Sequence, residues 1–336
     1  MALSRYLRWA RMTLIAGLIV VVPLSAAGAV YQTIHVRRES ALYRPAGQMV
    51  DVGGRRLHLI CIGSGEPTVL FEPSGFGGAG SATVARTEIA RTLRVCSYDR
   101  MGMGFSDPGP GSISVGTLTG DLERLLSAAG VRPPYVIVAS SVGGLTAELF
   151  ARRHPDRVAG MVFVDAGYSG ALDRYSHEWS PLLAMEVCAV PVAARLGVLR
   201  LLDPMRLRQG KPEDAARDVA ALYRVAPMST FCGMMRGFPQ TQEELRAAPP
   251  FPATMPLVVL TAASHGDRLI DSLTLPRLRA FAESVSREWG PLQLALAQRS
   301  RRGTWRVVPG STHLIANTHP YAVTSAVFEV LAQAGR

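Results

Sequence analysis

One apolar run in this sequence ends in a turn that places a serine where it can act as a nucleophile. The run Val-Ile-Val-Ala at 136–139 is followed by Ser-Ser-Val-Gly-Gly at 140–144 and then by a helix-compatible stretch. Such a strand-to-helix turn lifts the hydroxyl of Ser141 off the sheet edge, and the N–H groups at the start of the next helix face developing negative charge. Small residues flank Ser141 at Ala139 and Gly143, whereas the frame centred on Ser140 has no glycine on either side. The pattern therefore favours Ser141 as the nucleophile, with Ala139 one methyl larger than the usual glycine.

The charge distribution argues against nucleic-acid binding. The 336-residue chain has a net charge of +10, and Lys211 is its only lysine. Nucleic-acid-binding domains cluster their basic residues on one face or stripe. Here the arginines are scattered, and the densest group outside the N-terminus (Arg299, Arg301 and Arg302) contains no aromatic residue. The positive balance fits an anionic membrane surface better, or reflects arginine-rich codon usage.

The N-terminal residues 1–38 are predicted to be a transmembrane anchor with its flanks. Arginines at 5, 8 and 11 precede 23 uncharged residues, Met12 to Ile34. As a helix this stretch would span about 35 Å, enough for a hydrocarbon core of about 30 Å. The alternative is a signal peptide cleaved near Ala27-Gly28-Ala29, although the apolar run is long for one. Either interpretation places the main domain outside the cytoplasm, after a short linker at 39–46.

From residue 47 onward, apolar runs of strand length alternate with helical runs of ten or more residues. This alternation predicts a mostly parallel sheet with helices on both faces. The expected strands lie at 48–51, 55–62, 68–71, 95–98, 135–138, 158–164, 256–262 and 305–308. Residues 168 to about 250 contain no convincing strand and several helical stretches, so we expect a helical cap inserted after the sixth strand.

The order of these pieces resembles the α/β-hydrolase fold. The most specific match is the turn Asp-Arg-Met-Gly-Met-Gly-Phe-Ser-Asp at 99–107, which follows the fourth strand, and the serine turn follows the fifth. The resemblance covers residues 48–336 and implies one eight-stranded α/β domain at 47–336 that includes the cap. Within the family the chain is similar to bacterial membrane-anchored or exported hydrolases that carry Glu-x-x-Gly-x-Gly, here starting at Glu72, where many relatives carry His-Gly.

The resemblance implies that a histidine and an acid follow the serine in chain order. His313, in the loop after the last strand, stands where the family places its base; His319 is a weaker candidate. For the acid, Asp267 on the loop after the seventh strand is the first choice. Asp165, at the tip of the sixth strand, is the alternative, because some family members draw their acid from there, and Asp271 is third.

The same resemblance implies an oxyanion hole formed by backbone N–H groups. One donor is Val142, the residue after the nucleophile, and the second comes from the loop after the third strand, at Phe76 or Gly75. Asp99 and Arg100 are interpreted as a structural clamp of the turn below the site. The glycine loop lacks the Gly-Lys-Ser/Thr ending of a phosphate-binding P-loop.

The four cysteines show no CxxC or metal-like spacing, so we expect no zinc site. In the fold that the chain resembles, the second and fourth strands are neighbours, and these strands carry Cys61 and Cys96. A disulfide between them is therefore predicted, provided that their Cα atoms lie within about 7 Å. Cys188 and Cys232 both belong to the cap and either pair or pack as core residues.

Together these features predict a serine hydrolase that cleaves an ester-like bond through an acyl-enzyme on Ser141, without a cofactor or metal. The many apolar residues of the cap suggest a lipophilic small-molecule substrate. Epoxide and haloalkane chemistry in this fold uses an aspartate in the strand-to-helix turn. The serine at position 141 disfavours both reactions here. The alternative is a non-catalytic member of the fold that binds a ligand or partner.

Overall fold

The structure is a computed structural model that describes residues 2–205, 207–209, 212–264 and 275–335. Within this part of the chain, one sheet contains the strands β1 (Gln48–Asp51), β2 (Arg56–Ile62), β3 (Thr68–Glu72), β4 (Val95–Tyr98), β5 (Tyr135–Ser140), β6 (Val158–Val164), β7 (Leu257–Ala262) and β8 (Gly303–Val308). Their order across the sheet is β1-β2-β4-β3-β5-β6-β7-β8. β2 pairs antiparallel with β1 and β4, and the remaining neighbours are parallel. The predicted eight-stranded, mostly parallel sheet is confirmed.

Both faces of the sheet are buried, because successive apolar residues of each central strand point to opposite sides. In β5, Val136 and Val138 join one core cluster, whereas Ile137 and Ala139 join the other. The strands β3, β4, β6 and β7 divide their side chains in the same way. The continuous apolar runs that predicted buried strands thus supply two cores at once.

Helices cover the two faces and supply the crossovers that parallel neighbours require. The helices outside the segment between β6 and β7 are α1 (Ala2–Leu42), α2 (Thr83–Ile89), α3 (Val115–Ala128), α4 (Gly143–Arg153), α11 (Pro276–Ala297), α12 (Ile315–Thr318) and α13 (Pro320–Gln333). Side chains of α3, α4 and α11 pack in one core cluster, and those of α2, α12 and α13 pack in the other.

The segment between β6 and β7, which we call the cap, contains helices and connecting loops but no strand among its described residues. Its helices are α5 (Ser169–Tyr175), α6 (Pro181–Arg195), α7 (Val198–Leu202), α8 (Pro212–Leu222), α9 (Val225–Arg236) and α10 (Phe238–Ala247). A small apolar cluster of its own holds α6 to α9 together around the buried ring of Tyr223. The cap lies at the position in the chain where the sequence indicated a helical insertion.

The N-terminal helix is longer than its uncharged stretch. α1 runs to Leu42 and so includes residues 39–42 of the segment 39–46 that the sequence assigned to a linker. The segment Tyr6–Leu42 of α1 is long enough and apolar enough to cross a membrane, by length and composition alone. Pro23 lies inside the helix. Transmembrane helices, which the sequence predicts here, tolerate a proline in their interior.

Two disulfides lie within the described residues. Cys61 and Cys96 oppose each other in the β2–β4 register and are bonded, with Cα atoms 4.1 Å apart. This distance is below the limit of about 7 Å that would have excluded the predicted bridge. Cys188 of α6 and Cys232 of α9 are also bonded, with Cα atoms 4.8 Å apart, which resolves the two alternatives left open for the cap.

Candidate active site

Ser141 occupies a strained turn between β5 and α4. Its φ of 53° lies in the left-handed region that non-glycine residues rarely adopt. The α4 helix begins at Gly143, where an added Cβ would stand 2.4 Å from the carbonyl oxygen of Pro73. Only a glycine allows the helix to pass this close to the end of β3. The neighbouring Ala139 is fully buried, so its extra methyl group is accommodated in the core.

The imidazole of His313 lies between Ser141 and Asp165. His313 Nε2 is 2.9 Å from Ser141 Oγ, and His313 Nδ1 is 2.6 Å from Asp165 Oδ2. Because an ionised carboxylate only accepts hydrogen bonds, Nδ1 carries the proton and Nε2 is left to accept from the serine hydroxyl. The loop that carries His313 leaves β8 through Ser311, whose hydroxyl donates to the Val308 carbonyl at 2.7 Å.

Asp165 follows β6 and is fully buried. Its Oδ1 accepts hydrogen bonds from the Ala262 N–H and from the Trp289 Nε1–H, both at 2.9 Å. The backbone N–H of Asp165 donates to the Leu260 carbonyl at 2.7 Å. These partners hold the carboxylate in place with its second oxygen facing His313.

The sequence ranked Asp267 above Asp165 as the acid. The structure brings Asp165, the alternative, to the histidine, whereas Asp267 and Asp271 lie outside the described residues. Of the two histidine candidates, His313 faces the serine, and His319 instead contacts the adjacent Thr318 hydroxyl at 3.0 Å.

The loop after β3 comes close to the residue that follows the serine. A Cβ added at Gly75 would stand 3.3 Å from Cγ1 of Val142, so the two segments assigned to the oxyanion hole are in contact. Within the described residues, neither the Val142 nor the Phe76 backbone N–H donates to another backbone group outside a regular element. The assignment of these two N–H groups to the oxyanion hole stays a prediction.

Arg100 fixes the loop that carries Gly75 and Phe76. Its Nη2 donates to Pro73 O at 2.7 Å and to Glu72 Oε1 at 2.8 Å, and its Nη1 donates to Ser74 O at 3.1 Å. Burial raises the pKa of Glu72, and the Arg100 charge together with the Tyr98 hydroxyl, 2.6 Å from Oε2, opposes that rise. The interpretation of Arg100 as a clamp agrees with these contacts.

Asp99 organises the neighbouring turn. Its Oδ1 accepts from the Ala79 N–H at 2.7 Å, and its Oδ2 accepts from the Phe105 N–H at 3.0 Å and from His58 Nδ1 at 2.7 Å. Burial lowers the pKa of His58, but the hydrogen bonds to Asp99 and to the Ala46 carbonyl outweigh it, and the net shift is upward. This buried pair supports the sheet edge beneath the candidate site.

Sequence reasoning missed two residues that complete the site. Trp289, in the middle of α11, reaches the acid from a helix in which sequence analysis singled out no residue. Glu72 was noted as a departure from His-Gly but not as the partner of Arg100. Neither has a local sequence signal, because both roles arise from contacts between distant segments. Among the described residues, no group of three or more histidine, cysteine or carboxylate side chains could hold a metal ion.

An hydroxyl, an imidazole and a carboxylate arranged in this way can turn a serine into a nucleophile, with backbone N–H groups nearby to bind an oxyanion. The side chains come from the carboxyl ends of β5, β6 and β8, and these ends meet at one edge of the sheet. This arrangement can support acyl transfer.

Comparisons with known proteins agree with the architecture. The family model described as the alpha/beta hydrolase fold matches residues 67–187. The uncharacterized protein YbdG of Bacillus subtilis is 26% identical over 156 residues, which are 46% of this chain and 47% of that protein. The chain thus spans about half or less of the length of the first curated relatives that it matches.

Solved structures with the same architecture cover nearly the whole domain. A thermophilic esterase from Thermogutta terrifontis superimposes with a TM-score of 0.61 at 19% identity, covering 88% of this chain and 100% of that one. A variant of the epoxide hydrolase from Solanum tuberosum gives a TM-score of 0.61 at 18% identity, covering 86% of this chain and 99% of that one. At such identities the likeness is one of fold. The sheet order, the serine turn and the family match agree that the chain has the α/β-hydrolase fold.

Proposed function

We propose that this protein is a serine hydrolase that cleaves an ester-like bond of a small molecule. The observation that carries the proposal is the contact of His313 with both Ser141 Oγ and the buried carboxylate of Asp165. Proteins named as an esterase and as epoxide hydrolases share the fold. The residue at the position of Ser141, in the strand-to-helix turn, distinguishes the two chemistries. A serine there favours the ester-type reaction.

In the proposed mechanism, Ser141 Oγ attacks the carbonyl carbon while His313 Nε2 takes the hydroxyl proton. Asp165 holds the imidazole by its Nδ1–H and stabilises the imidazolium that forms. The carbonyl oxygen, now negatively charged, accepts from the Val142 and Phe76 N–H groups. His313 then gives its proton to the leaving alcohol, and an acyl-serine remains. Water, deprotonated by the same histidine, attacks this ester and releases the acid and Ser141.

The surroundings of Phe76 support a lipophilic substrate. Its ring lies 5.0 Å from the ring of Phe231 in α9, measured between centroids. The same side chain packs against the apolar cluster of the cap that contains Leu199 and Met228. A substrate oxygen at the Phe76 N–H would therefore carry its organic group into apolar surroundings.

We also propose that α1 anchors the protein in a membrane with the catalytic domain outside the cytoplasm. The apolar residues of α1 from Tyr6 to Leu24 are exposed rather than packed against the domain. Two disulfides among the described residues support an oxidising compartment, because reducing systems keep cytosolic thiols free.

Covalent labelling by a fluorophosphonate tests the proposed reaction. Wild-type protein should be labelled, and Ser141→Ala should not. Ser140→Ala is the matched control, because it removes the adjacent hydroxyl and should leave labelling intact. Hydrolysis of p-nitrophenyl esters of increasing acyl length then tests the substrate class, with longer chains expected to be preferred. A folded wild-type protein that neither reacts with the probe nor hydrolyses any ester would favour the non-catalytic alternative.

A further inference from the structure

The last part of α1 lies directly against the corner of the cap where α6 ends and α7 begins. A Cβ added at Gly28 would stand 2.3 Å from the carbonyl oxygen of Leu196, and one added at Gly197 would stand 3.0 Å from the Tyr31 ring. The two backbones are therefore in contact, with no side chain between them. A helix joined only by a flexible linker would not need this fit.

Polar contacts fix the same junction. The buried side chain of Arg200 in α7 donates from Nε to Gln32 Oε1 at 3.0 Å and from Nη2 to Glu39 Oε2 at 3.0 Å. Gln32, also buried, donates from Nε2 to the Tyr223 carbonyl at 2.7 Å. Because a buried guanidinium without its partners would be costly, these bonds hold α1 to the cap in one orientation.

The length of α1 places this corner at the edge of a membrane. Counted from Met12, where the uncharged stretch begins, Gly28 lies about 24 Å along the helix axis and Tyr31 about 28 Å, at a rise of about 1.5 Å per residue. The hydrocarbon core is about 30 Å thick. A helix that crosses it from Met12 therefore reaches the far boundary at the residues that touch Leu196 and Gly197.

The cap helices at this corner expose apolar side chains. Along α6, Leu182, Met185 and Val192 share one side of the helix and are 55%, 68% and 60% exposed. In α7, Leu201 and Leu202 are 60% and 74% exposed. Exposed apolar side chains of this size gathered on two adjacent helices mark an interaction surface rather than scattered surface residues.

Basic residues lie close to the same corner in the chain. Arg195 at the end of α6 is exposed, as are Arg37 and Arg38 of α1. Arginines beside an apolar surface complement the anionic headgroups of a bilayer.

We propose that the α6–α7 corner of the cap enters the interfacial layer of the membrane beside α1, so that the protein touches the bilayer through two elements. The occupant of the exposed surface is a lipid bilayer with anionic headgroups. This inference rests on the proposed anchoring of α1. The cap, which packs against Phe76 of the candidate site, would then face the layer in which lipophilic substrates accumulate.

The two disulfides allow a direct test with single thiols. All four cysteines are bonded, so an introduced cysteine is the one site available for a nitroxide label. Full-length protein carrying Leu202→Cys would be labelled and placed in nanodiscs of phosphatidylcholine and phosphatidylglycerol at one chain per disc, which excludes a second copy as the covering surface. Val192→Cys is the second reporter on the same corner. Gly17→Cys reports on α1. Arg91→Cys, at an exposed position just after α2, serves as the aqueous control.

Accessibility of each nitroxide to oxygen and to a water-soluble nickel chelate gives the result. We expect the labels at 202 and 192 to lose nickel access and gain oxygen access, like the label at 17 and unlike the label at 91. If the labels at 202 and 192 behave like the label at 91 while the label at 17 is in lipid, the docking of the cap is wrong. Anchoring by α1 would still be supported. If the label at 17 is also in water, the anchor itself is wrong. Protection from both reagents would place the corner inside protein and would equally overturn the inference.

Discussion

Replacing Asp165 by asparagine tests the proposed acid with a change of one heavy atom. In the protein, Oδ1 accepts from the Ala262 and Trp289 N–H groups while Oδ2 accepts from His313. An asparagine has one accepting oxygen and one donating amide. If its oxygen keeps Ala262 and Trp289, its amide faces His313 Nδ1 and forces the proton to Nε2, where the imidazole can no longer accept from Ser141.

The opposite orientation of the amide also carries a cost. With the oxygen toward His313, the NH2 group meets two N–H donors in a buried site, and each unsatisfied group costs about 1–3 kcal/mol. The first orientation should therefore prevail, with the wrong tautomer of the histidine. Substitutions of this kind in serine proteases lower kcat by about four orders of magnitude. At about 1.4 kcal/mol for each factor of ten, the barrier should rise by about 5 kcal/mol.

The assay measures kcat and kcat/KM on the best p-nitrophenyl ester, beside Asp267→Asn prepared in the same way. Asp165→Asn should lose about four orders of magnitude in kcat, as the tautomer argument requires, while its circular dichroism spectrum stays that of the wild type. The reasoning is refuted if folded Asp165→Asn stays within a factor of about ten of the wild type, which is under 1.4 kcal/mol of barrier. A large loss of activity in Asp267→Asn alone would identify Asp267, the first choice from the sequence, as the acid.

Three further changes probe the surroundings of the site. Arg100→Met should lower the free energy of unfolding by about 3–5 kcal/mol, because it leaves a buried carboxylate unpaired, and should also slow fluorophosphonate labelling; normal labelling would exclude the loop clamp. Removing the bridge with Cys61→Ala and Cys96→Ala should cost about 3–4 kcal/mol, as a closed loop of 35 residues implies, and urea unfolding with an unchanged midpoint would contradict this. The raised pKa of His58 contributes stability that is present below about pH 6.5, the ordinary value. That stability should disappear as the pH rises through the folded-state pKa, and unfolding of His58→Gln should lack this pH dependence.

The elements that carry the nucleophile and the base could be predicted because their signals are local. The apolar run of β5 and the small residues around Ser141 lie within ten residues of one another, and the alternation of runs marks where each strand begins. His313 follows the last such run. Periodicity and turn residues depend on neighbours in the chain, so a sequence displays them directly.

The choice of acid depended on contacts that a sequence does not display. In the sequence, Asp165 follows β6 and Asp267 follows β7, two strands that are neighbours in the sheet, so chain order alone does not distinguish the two aspartates. What distinguishes Asp165 is that Trp289 and Ala262 hold one oxygen while the other faces His313. These partners come from segments that lie far away in the chain.

The junction of α1 with the cap illustrates the same division. Composition indicated a helix long enough to cross a bilayer, but a linker was expected where Glu39 in fact accepts from Arg200.

By itself the sequence determined the α/β architecture, the strained serine turn and the apolar N-terminal helix, because each follows from the periodicity or conformational preference of adjacent residues. Only the tertiary structure decided which carboxylate faces the histidine, how Arg100 holds the loop after β3 and where α1 meets the cap. Those outcomes depend on burial and on hydrogen bonds between segments separated by up to 191 residues, as in the bond from Gln32 to the Tyr223 carbonyl. Such bonds are selected only when the whole chain has packed.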